Sequence, residues 1–263
     1  MSQHLSIIDI IHLFPNEQKS MEWIERCRWG DTVSCPRCGS GEITETTNRK
    51  PQPYWCQPCR QYFSVRTGTF MEKSSIPLQK WLIGIYLFLS QPKGYASTVM
   101  AKELGVRQAT AWLMKKRMQA VCLTVLNQFS GTVEIDETYM GGQRKNRSKH
   151  QRMLLFGLGR GSSGQFPVIG ALHRETNQII AKAVDHTDQE TMHAFIHEQT
   201  TQEAVIDTDE ARCYRGMNRN HSVVCHSRRE FVDGTIHTNG IESFWARVKR
   251  SYKGTHHWWS RQH

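Results

Sequence analysis

The chain has no long hydrophobic run, no signal-like beginning and no disulfide pattern. Its longest apolar run, Trp81 to Leu89, is too short to cross a bilayer. The first residues lack the basic and then apolar order of a secretory signal, so we expect neither secretion nor a membrane partner. Outside one N-terminal cluster the cysteines are scattered, as reduced thiols usually are. These absences predict a cytoplasmic protein without disulfides.

Acidic residues are also in deficit. The 263 residues include 34 Lys and Arg against 24 Asp and Glu, which gives a formal charge of +10. Such a surplus favours a polyanionic partner, because each phosphate that a protein neutralises releases counterions. The charge alone also fits an ordinary basic protein. The length allows a small metal-binding module, a helical module and one larger core domain.

Four cysteines near the N-terminus form two Cys-x-x-Cys pairs. Cys35 and Cys38 are separated from Cys56 and Cys59 by residues 39–55, a spacing typical of a zinc ribbon with four thiolate ligands. A single pair would fit a redox-active dithiol, but two pairs at this spacing indicate one structural zinc ion. We predict a zinc ribbon over residues 31–72, after a helical lead-in over residues 1–30.

Residues 73–128 are predicted to be helical. After a helix that begins at Pro77, the sequence gives a short helix, a turn at Gly105 and a second helix. This is the pattern of a helix-turn-helix, whose second helix enters the major groove of DNA, although an ordinary helical hairpin would look the same. The residues expected to pack between the two helices are Ala101, Leu104, Val106, Ala111 and Leu113. The basic residues of the second helix, predicted to contact DNA, are Arg107, Lys115, Lys116 and Arg117.

From residue 131 the apolar period changes from helical to alternating. Strands are predicted at residues 132–139, 154–158, 167–173, 178–184, 204–209 and 222–225, and helices from residue 188 and over residues 239–252. This order predicts an α/β fold, a ribonuclease-H-like domain with a mixed sheet and helices over residues 129–263. The basic stretch 143–152 is predicted to be a solvated loop that closes on a DNA backbone through Lys145, Arg147 and Lys149.

Three acidic residues have informative positions. Asp136 lies within an apolar strand, where an unpaired carboxylate is costly to desolvate. Asp209 ends a second strand, and Glu242 lies on the final helix. In this fold the two strands are neighbours and the helix packs across them, so the three carboxylates would suit two Mg²⁺ or Mn²⁺ ions. Residue types alone do not single them out, because other acids lie nearby: Glu134, Glu137, Asp207 and Glu210.

Several segments closely resemble a bacterial insertion-sequence transposase family. The segments are Asp136–Asn146 (DETYMGGQRKN), Asp209–Tyr214 (an Asp-Glu pair and then Tyr), His237–Arg250 (HTNGIESFWARVKR) and the ribbon exit Tyr62–Phe70 (YFSVRTGTF). The family is the ISXO2-like, zinc-ribbon family that is related to the eukaryotic Merlin elements. The similarity covers nearly the whole chain, and its His-Thr-Asn-x-x-Glu-Ser signature is quite specific.

The resemblance implies a DDE-type transposase, which cuts the ends of its element and joins them to target DNA. It implies Asp136 and Asp209 as the first two metal ligands, and either Glu242 or Asn239 as the third. We predict Glu242, because a carboxylate supplies charge that an amide lacks. Asn239 lies three residues earlier, as an alternative or positioning ligand, or as the N-cap of the helix. Lys249 lies about two turns beyond Glu242 on the same helical face.

The partners implied are double-stranded DNA, both at the terminal repeats and at the target, and further copies of this chain in the DNA complex. Lys249 and Arg250 are predicted to contact phosphate. Family members generally continue beyond the point where this sequence stops, at His256–His263, so we expect a copy shortened at its C-terminus. The competing hypothesis is an inactive remnant that binds DNA through its ribbon and helices. A zinc-ribbon transcription factor would not need the acidic strand positions.

Overall fold

A computed structural model describes residues 5–123, 128–141, 148–154, 165–224 and 238–256. The chain forms two compact units, Met1–Val125 and Leu126–His263, and each unit has its own hydrophobic clusters. None of the helices within the described ranges is both long and apolar enough to span a bilayer. The finer division predicted for the first 128 residues stays a prediction.

Two helices begin the N-terminal unit: α1 (Ile7–Leu13) and α2 (Glu17–Trp29). Each is preceded by a residue whose side chain accepts a hydrogen bond from a free backbone amide of the first turn. Ser6 accepts from Asp9, and Asn16 accepts from Lys19. The buried side chain of Ile10 on α1 belongs to the main core of this unit.

A three-stranded antiparallel sheet follows, made of β1 (Ile43–Glu45), β2 (Tyr54–Cys56) and β3 (Gln61–Phe63), with β2 in the middle. Because side chains alternate along a strand, Tyr54 and Phe63 face inward and stack with their ring centroids 5.4 Å apart. The ring of Trp29 packs edge-on against both. Trp55 and Tyr62 pair on the opposite side of the sheet, at 4.6 Å.

Three longer helices complete the unit: α3 (Leu78–Ser90), α4 (Ser97–Leu104) and α5 (Gln108–Leu123). Gly105 ends α4 in the left-handed conformation, with φ of 58°, as the predicted turn requires. Gly84 lets α4 and α5 approach α3 closely, because a Cβ atom there would lie 2.9 Å from the end of Met100.

One packing prediction for these helices is wrong. Leu113 was expected between α4 and α5, but it is 47 % exposed. The buried stripe of α5 runs through Ala111, Met114 and Met118, at intervals of three and four residues. Leu113 lies one position off this stripe and therefore faces outward.

The C-terminal unit is built on a mixed sheet of five strands: β4 (Thr132–Met140), β5 (Phe166–His173), β6 (Gln178–Ala183), β7 (Val205–Asp209) and β8 (His221–Val224). Their order is β6-β5-β4-β7-β8. The hairpin strand β5 runs antiparallel to β4 and β6, whereas β7 runs parallel to β4 and β8 runs parallel to β7. The central strand β4 thus has one antiparallel and one parallel neighbour.

Helices cover both faces of this sheet. The covering helices are α7 (Gln189–Gln199) and α8 (Asn239–Ser251), and a π-helical turn, Tyr252–His256, follows α8. A shorter helix, α6 (Lys149–Leu154), precedes β5 in the chain. On one face, Phe195 of α7 shares a cluster with Ile135 and Ile206. On the other face, Trp245 of α8 packs over Gly170, where a Cβ atom would lie 2.7 Å from the indole ring. The result is a three-layer arrangement of helix, sheet and helix.

The predictions for this unit are confirmed for five strands and the two long helices, whose ends agree with the predicted ones or differ by one residue. The strand predicted at residues 154–158 is wrong at its start, because Leu154 ends α6; residues 155–158 lie outside the described part. The basic stretch 143–152 is not all loop, since Lys149–Leu154 is helical. A short run with apolar residues does not by itself distinguish a helix from a strand. Between β7 and β8 the chain forms a short 3-10 turn, Arg212–Tyr214.

Candidate functional site

Four cysteine thiols are gathered in the ribbon. Their Sγ atoms all lie within 4.8 Å of one another, with Cys35 and Cys59 3.9 Å apart and Cys38 and Cys56 3.6 Å apart. A tetrahedral zinc ion with Zn–S distances of about 2.3 Å holds its sulfur ligands about 3.8 Å apart. The predicted cluster therefore has the size and the donor chemistry of a four-thiolate zinc site.

The backbone of the first knuckle is shaped to present its two thiols. The N–H of Cys35 donates to the carbonyl of Ser40, and the N–H of Gly39 donates to the carbonyl of Cys35, both at 2.9 Å. Gly39 has a φ of 73°, which glycine adopts at little cost. The N–H of Arg37 lies 3.5 Å from the Cys35 sulfur, and such a donor favours the thiolate that a metal needs.

Two of the predicted catalytic carboxylates lie on neighbouring strands of the C-terminal unit. In the parallel pairing of β4 and β7, Glu134 is opposite Asp207. Asp136 and Asp209 are each two residues further along, so they share a face of the sheet with that pair. The same face is covered by α8, because Glu134 accepts a hydrogen bond from the first turn of that helix.

The third predicted carboxylate, Glu242, lies in the first turn of α8. It is close enough to Asp136 to repel it, as are Asp209 and Glu137. Burial, reinforced by these three carboxylates, raises the pKa of Asp136 to about 7. Burial also raises the pKa of Glu137, with a further contribution from Asp209. The group therefore forms a region of concentrated negative charge, which a cation would stabilise.

Local hydrogen bonds orient the three carboxylates. Asp136 accepts from the backbone N–H of the next residue at 2.8 Å, and Asp209 accepts from the N–H of Ala211 at 3.0 Å. Glu242 accepts from the hydroxyl of Thr238 at 3.0 Å. A carboxylate has two oxygens with several lone pairs, so accepting a hydrogen bond does not prevent such a side chain from binding a metal ion.

The role of Glu137 beside this group was not predicted from the sequence. The hydroxyl of Tyr214 donates to its carboxylate at 2.5 Å. Burial and the Glu137 carboxylate together raise the pKa of Tyr214 well above its ordinary value, so the phenol remains a hydrogen-bond donor. The signal was present in the sequence, since Tyr214 closes the motif that begins at Asp209.

The two clusters differ in how closely their ligand atoms are gathered. Among the described residues, the four cysteines are the only group of three or more His, Cys, Asp or Glu side chains with ligand atoms close enough to hold a metal together. Asp209 and Glu242 lie close enough to Asp136 for their charges to raise its pKa. Their hard oxygen donors still fit Mg²⁺, which usually takes one or two protein carboxylates and completes its shell with water and substrate phosphate.

A buried ion-pair network lies beneath the carboxylates. Arg174, in the turn after β5, donates from Nε to Glu134 at 3.1 Å and from Nη2 to Asp207 at 2.8 Å. The carboxylate side chains are only 1 % and 2 % exposed, respectively. By residue type these two acids are equivalent to Asp136 and Asp209, but in the structure they share Arg174 as an internal partner.

Comparison with known proteins identifies the family to which these features belong. Residues 128–263, which contain all of these carboxylates, match the model of the ISXO2-like transposase domain. The chain belongs to this transposase family. It is also 24 % identical over 250 residues to an uncharacterized protein in transposable element ISH50 of Halobacterium salinarum, covering 91 % of this chain and 84 % of the relative. The predicted membership of an insertion-sequence transposase family is confirmed.

Asn239 is the first residue of α8 in this transposase, and its side chain is exposed. The position before it, Thr238, is the N-cap, so the alternative in which Asn239 caps the helix is wrong. Thr238 takes the cap position because the helix begins at Asn239, one residue earlier than that alternative requires. Asn239 and Glu242 lie one turn apart at the same end of α8, and the choice between them as third ligand stays a prediction.

A cleft of about 440 Å³ adjoins the carboxylate cluster. Its wall includes Glu137 from β4, Lys249 from α8, and Tyr252 and Lys253 from the following turn. The predicted phosphate contact Lys249 thus lies in a concave surface next to the acidic group. The neighbouring Arg250 is exposed, as is Lys149 on α6. Lys145 and Arg147 lie outside the described residues.

The basic residues predicted on α5 differ in their surroundings. Arg107, just before the helix, is exposed, and Lys116 lies 5.8 Å from the ring centre of Trp112. Burial lowers the pKa of Lys115. Arg117 donates to the carbonyls of Phe70 and Glu72 at 3.2 Å and 2.9 Å, so part of its guanidinium is used to fasten the loop before α3. Their contacts with DNA stay predictions.

Proposed function

We propose that this transposase cuts DNA at the ends of its insertion sequence and joins those ends to target DNA, by DDE-type chemistry in a ribonuclease-H-like domain. The observation that carries the proposal is the convergence of Asp136, Asp209 and Glu242 on one face of the sheet, with the pKa of Asp136 raised by burial and by its acidic neighbours. The central strand between one antiparallel and one parallel neighbour supports the fold assignment.

In this proposal Asp136, Asp209 and Glu242 hold two Mg²⁺ or Mn²⁺ ions. Bound divalent ions would activate the attacking water or 3′-hydroxyl and stabilise the leaving oxygen of a phosphodiester. The chain contributes the oxygen donors, and burial together with the neighbouring carboxylates raises the pKa of Asp136 to about 7, so this group is partly protonated near neutral pH when no cation is bound. Asn239 is the alternative third ligand.

The proposed DNA contacts lie on both units. In the C-terminal unit, Lys249 and Lys253 line the cleft that Glu137 also lines, and their positive charges suit a phosphate next to the cleavage point. In the N-terminal unit, α4 and α5 form the proposed helix-turn-helix, with Arg107 at the exposed start of the second helix. An element has two ends, so we propose that copies of the chain act together on double-stranded DNA.

We also propose one structural zinc ion on Cys35, Cys38, Cys56 and Cys59. The sulfur spacing supports it, and the ribbon offers little other core than one small aromatic cluster. A closed thiolate site contributes folding free energy directly.

A cleavage assay tests the proposed function. The full protein would be incubated with a labelled duplex that carries the genomic DNA bordering its coding sequence. We expect nicks that require Mg²⁺ or Mn²⁺. Asp136→Asn, Asp209→Asn and Glu242→Gln should each lower the cleavage rate by roughly 10³-fold, equivalent to several kcal/mol, while DNA binding persists. Glu203→Gln, which changes an exposed carboxylate elsewhere on the unit, is the matched control.

The same assay decides the third ligand. If Glu242 is the ligand, Asn239→Ala should retain more cleavage than Glu242→Gln. Normal cleavage by Glu242→Gln with an inactive Asn239→Ala would assign the position to Asn239. DNA binding without cleavage by the wild-type protein would instead support the remnant hypothesis.

A further inference from the structure

We propose that Glu134, Arg174 and Asp207 are positioning residues, which together fix α8 and the two catalytic strands relative to one another. The inference rests on the proposed function, because the groups that they position are the carboxylates proposed to hold the divalent metal. None of the three is proposed to touch the metal or the DNA.

The network joins the two strands through one guanidinium. Arg174 reaches Glu134 on β4 and Asp207 on β7 through two different nitrogen atoms, at 3.1 Å and 2.8 Å. These two acids face each other across the parallel pairing. A planar guanidinium offers donors in fixed directions, so the distance between the two carboxylates is set more firmly than a lysine would set it.

The same network holds the first turn of α8. The second oxygen of Glu134 accepts a hydrogen bond from the backbone N–H of Ile241 at 3.0 Å. Gly240 allows this approach, because a Cβ atom at that position would lie 2.9 Å from the same oxygen. A carboxylate at a helix N-terminus is also favoured by the helix dipole. This contact explains why the segment Asn239-Gly-Ile-Glu242 has glycine at its second position.

Each contact of the network lies next to one proposed ligand. Glu134 is two residues before Asp136, Asp207 is two residues before Asp209, and Ile241 directly precedes Glu242. The network therefore reaches all three elements that carry the ligands, at positions where backbone movement would displace a carboxylate. Two buried carboxylates share one guanidinium, and the helix amide compensates part of the remaining negative charge.

The test uses Mn²⁺ alone as a probe, followed by kinetics. The full protein and three variants, Glu134→Gln, Arg174→Lys and Arg174→Met, would be titrated with Mn²⁺ and followed by electron paramagnetic resonance. Partners that orient metal ligands typically contribute 10–100-fold, so we expect Glu134→Gln and Arg174→Met to bind Mn²⁺ about 10- to 100-fold more weakly. Arg174→Lys should recover part of that loss. Cleavage should show a lower kcat with an unchanged KM for DNA.

Several outcomes would overturn the inference. It fails if Glu134→Gln folds, binds Mn²⁺ like the wild type and has the same kcat, with Glu203→Gln as the control. Glu134→Gln decides the matter even if Arg174→Met does not fold, because glutamine keeps the shape and the acceptor for Ile241. If the wild type cleaves DNA and the variants bind Mn²⁺ and cleave as the wild type does, only the positioning network is refuted. Weakened Mn²⁺ binding in a protein that never cleaves DNA would support the network and refute the proposed function. A wild type that binds no Mn²⁺ would refute both.

Discussion

Replacing Asp136 with Asn should stabilise the protein when no divalent cation is present. Burial and the neighbouring carboxylates raise the pKa of Asp136 from 3.8 to about 7 in the folded protein. Because the folded pKa lies above the unfolded one, the protonated carboxyl contributes its full stability below about pH 4, and that stability is lost as the pH rises towards 7. Asparagine cannot ionise, so the variant keeps its stability over this range.

The size of the effect follows from the two pKa values. They differ by about 3, and each pH unit corresponds to about 1.4 kcal/mol, so the variant should gain at most about 4 kcal/mol at pH 8. At pH 5.5 only about half of the interval between the unfolded and folded pKa values has been crossed, so the gain in unfolding free energy should be about 2 kcal/mol. For a unit of this size, where 1 kcal/mol corresponds to roughly 3 °C, the difference in Tm should grow by about 6 °C between the two pH values.

The assay is differential scanning calorimetry of the zinc-loaded protein at pH 5.5 and pH 8, without added Mg²⁺ or Mn²⁺. Glu203→Gln removes an exposed carboxylate and should give no pH-dependent difference. Adding Mg²⁺ should then raise the Tm of the wild type more than that of Asp136→Asn, because a ligand that binds only the folded state stabilises it. Equal Tm values for Asp136→Asn and the wild type at both pH values would refute the account of the carboxylate cluster.

Three other perturbations test separate parts of the molecule. The purified protein should contain one zinc ion, and Cys56→Ser should lose it. That variant should also lose specific DNA binding, while the calorimetric transition of the C-terminal unit remains. Zinc retained by Cys56→Ser in elemental analysis would contradict the ribbon site. Trp245→Ala should lower the free energy of unfolding by about 3–5 kcal/mol in a urea titration, because its indole is buried over Gly170; a loss below about 1 kcal/mol would refute this packing. Neutralising the predicted basic contacts together should lower the slope of log affinity against log salt by up to about 3, and an unchanged slope would show that they do not bind phosphate. The residues changed in that variant are Lys145, Arg147 and Lys149.

The local elements of the C-terminal unit could be predicted because their patterns are strong. The alternation of β4 and the apolar stripe of α8 through Ile241 and Trp245 both follow from one buried face. Asp188 begins α7 by accepting from the N–H of Thr191, as its position predicted. Family membership also came from the sequence, because the segment around Glu242 has a specific signature.

Residue types could not predict which acidic residues pair internally with Arg174 and which belong to the proposed metal site. Glu134, Asp136, Asp207 and Asp209 occupy equivalent places in two strands, and only tertiary contacts separate them. Arg174, which lies in a turn far away in sequence, forms ion pairs with two of the acids, Glu134 and Asp207. Asp136 and Asp209 instead accept hydrogen bonds from backbone N–H groups, and Asp136 lies close enough to Glu242 to be repelled by it. A pairing of this kind depends on strand register, which the sequence does not specify locally.

The misplaced elements have simpler causes. Leu113 and Met114 are both apolar, and a shift of one residue in the helical phase decides which of them is buried. The short apolar run after Arg152 is compatible with helix or strand, and α6 ends within it.

The central claim, that Asp209 holds a catalytic metal ion for DNA cleavage, is tested most directly by changing the metal preference of the enzyme. Asp209→Cys replaces a hard oxygen with a softer sulfur, which binds Mg²⁺ poorly and accepts Mn²⁺ better. The account predicts that Asp209→Cys cleaves element-end DNA no faster than background in Mg²⁺ and recovers measurable cleavage in Mn²⁺, while Glu203→Cys behaves like the wild type in both. Full activity of Asp209→Cys in Mg²⁺ would contradict the assignment of Asp209 as a metal ligand.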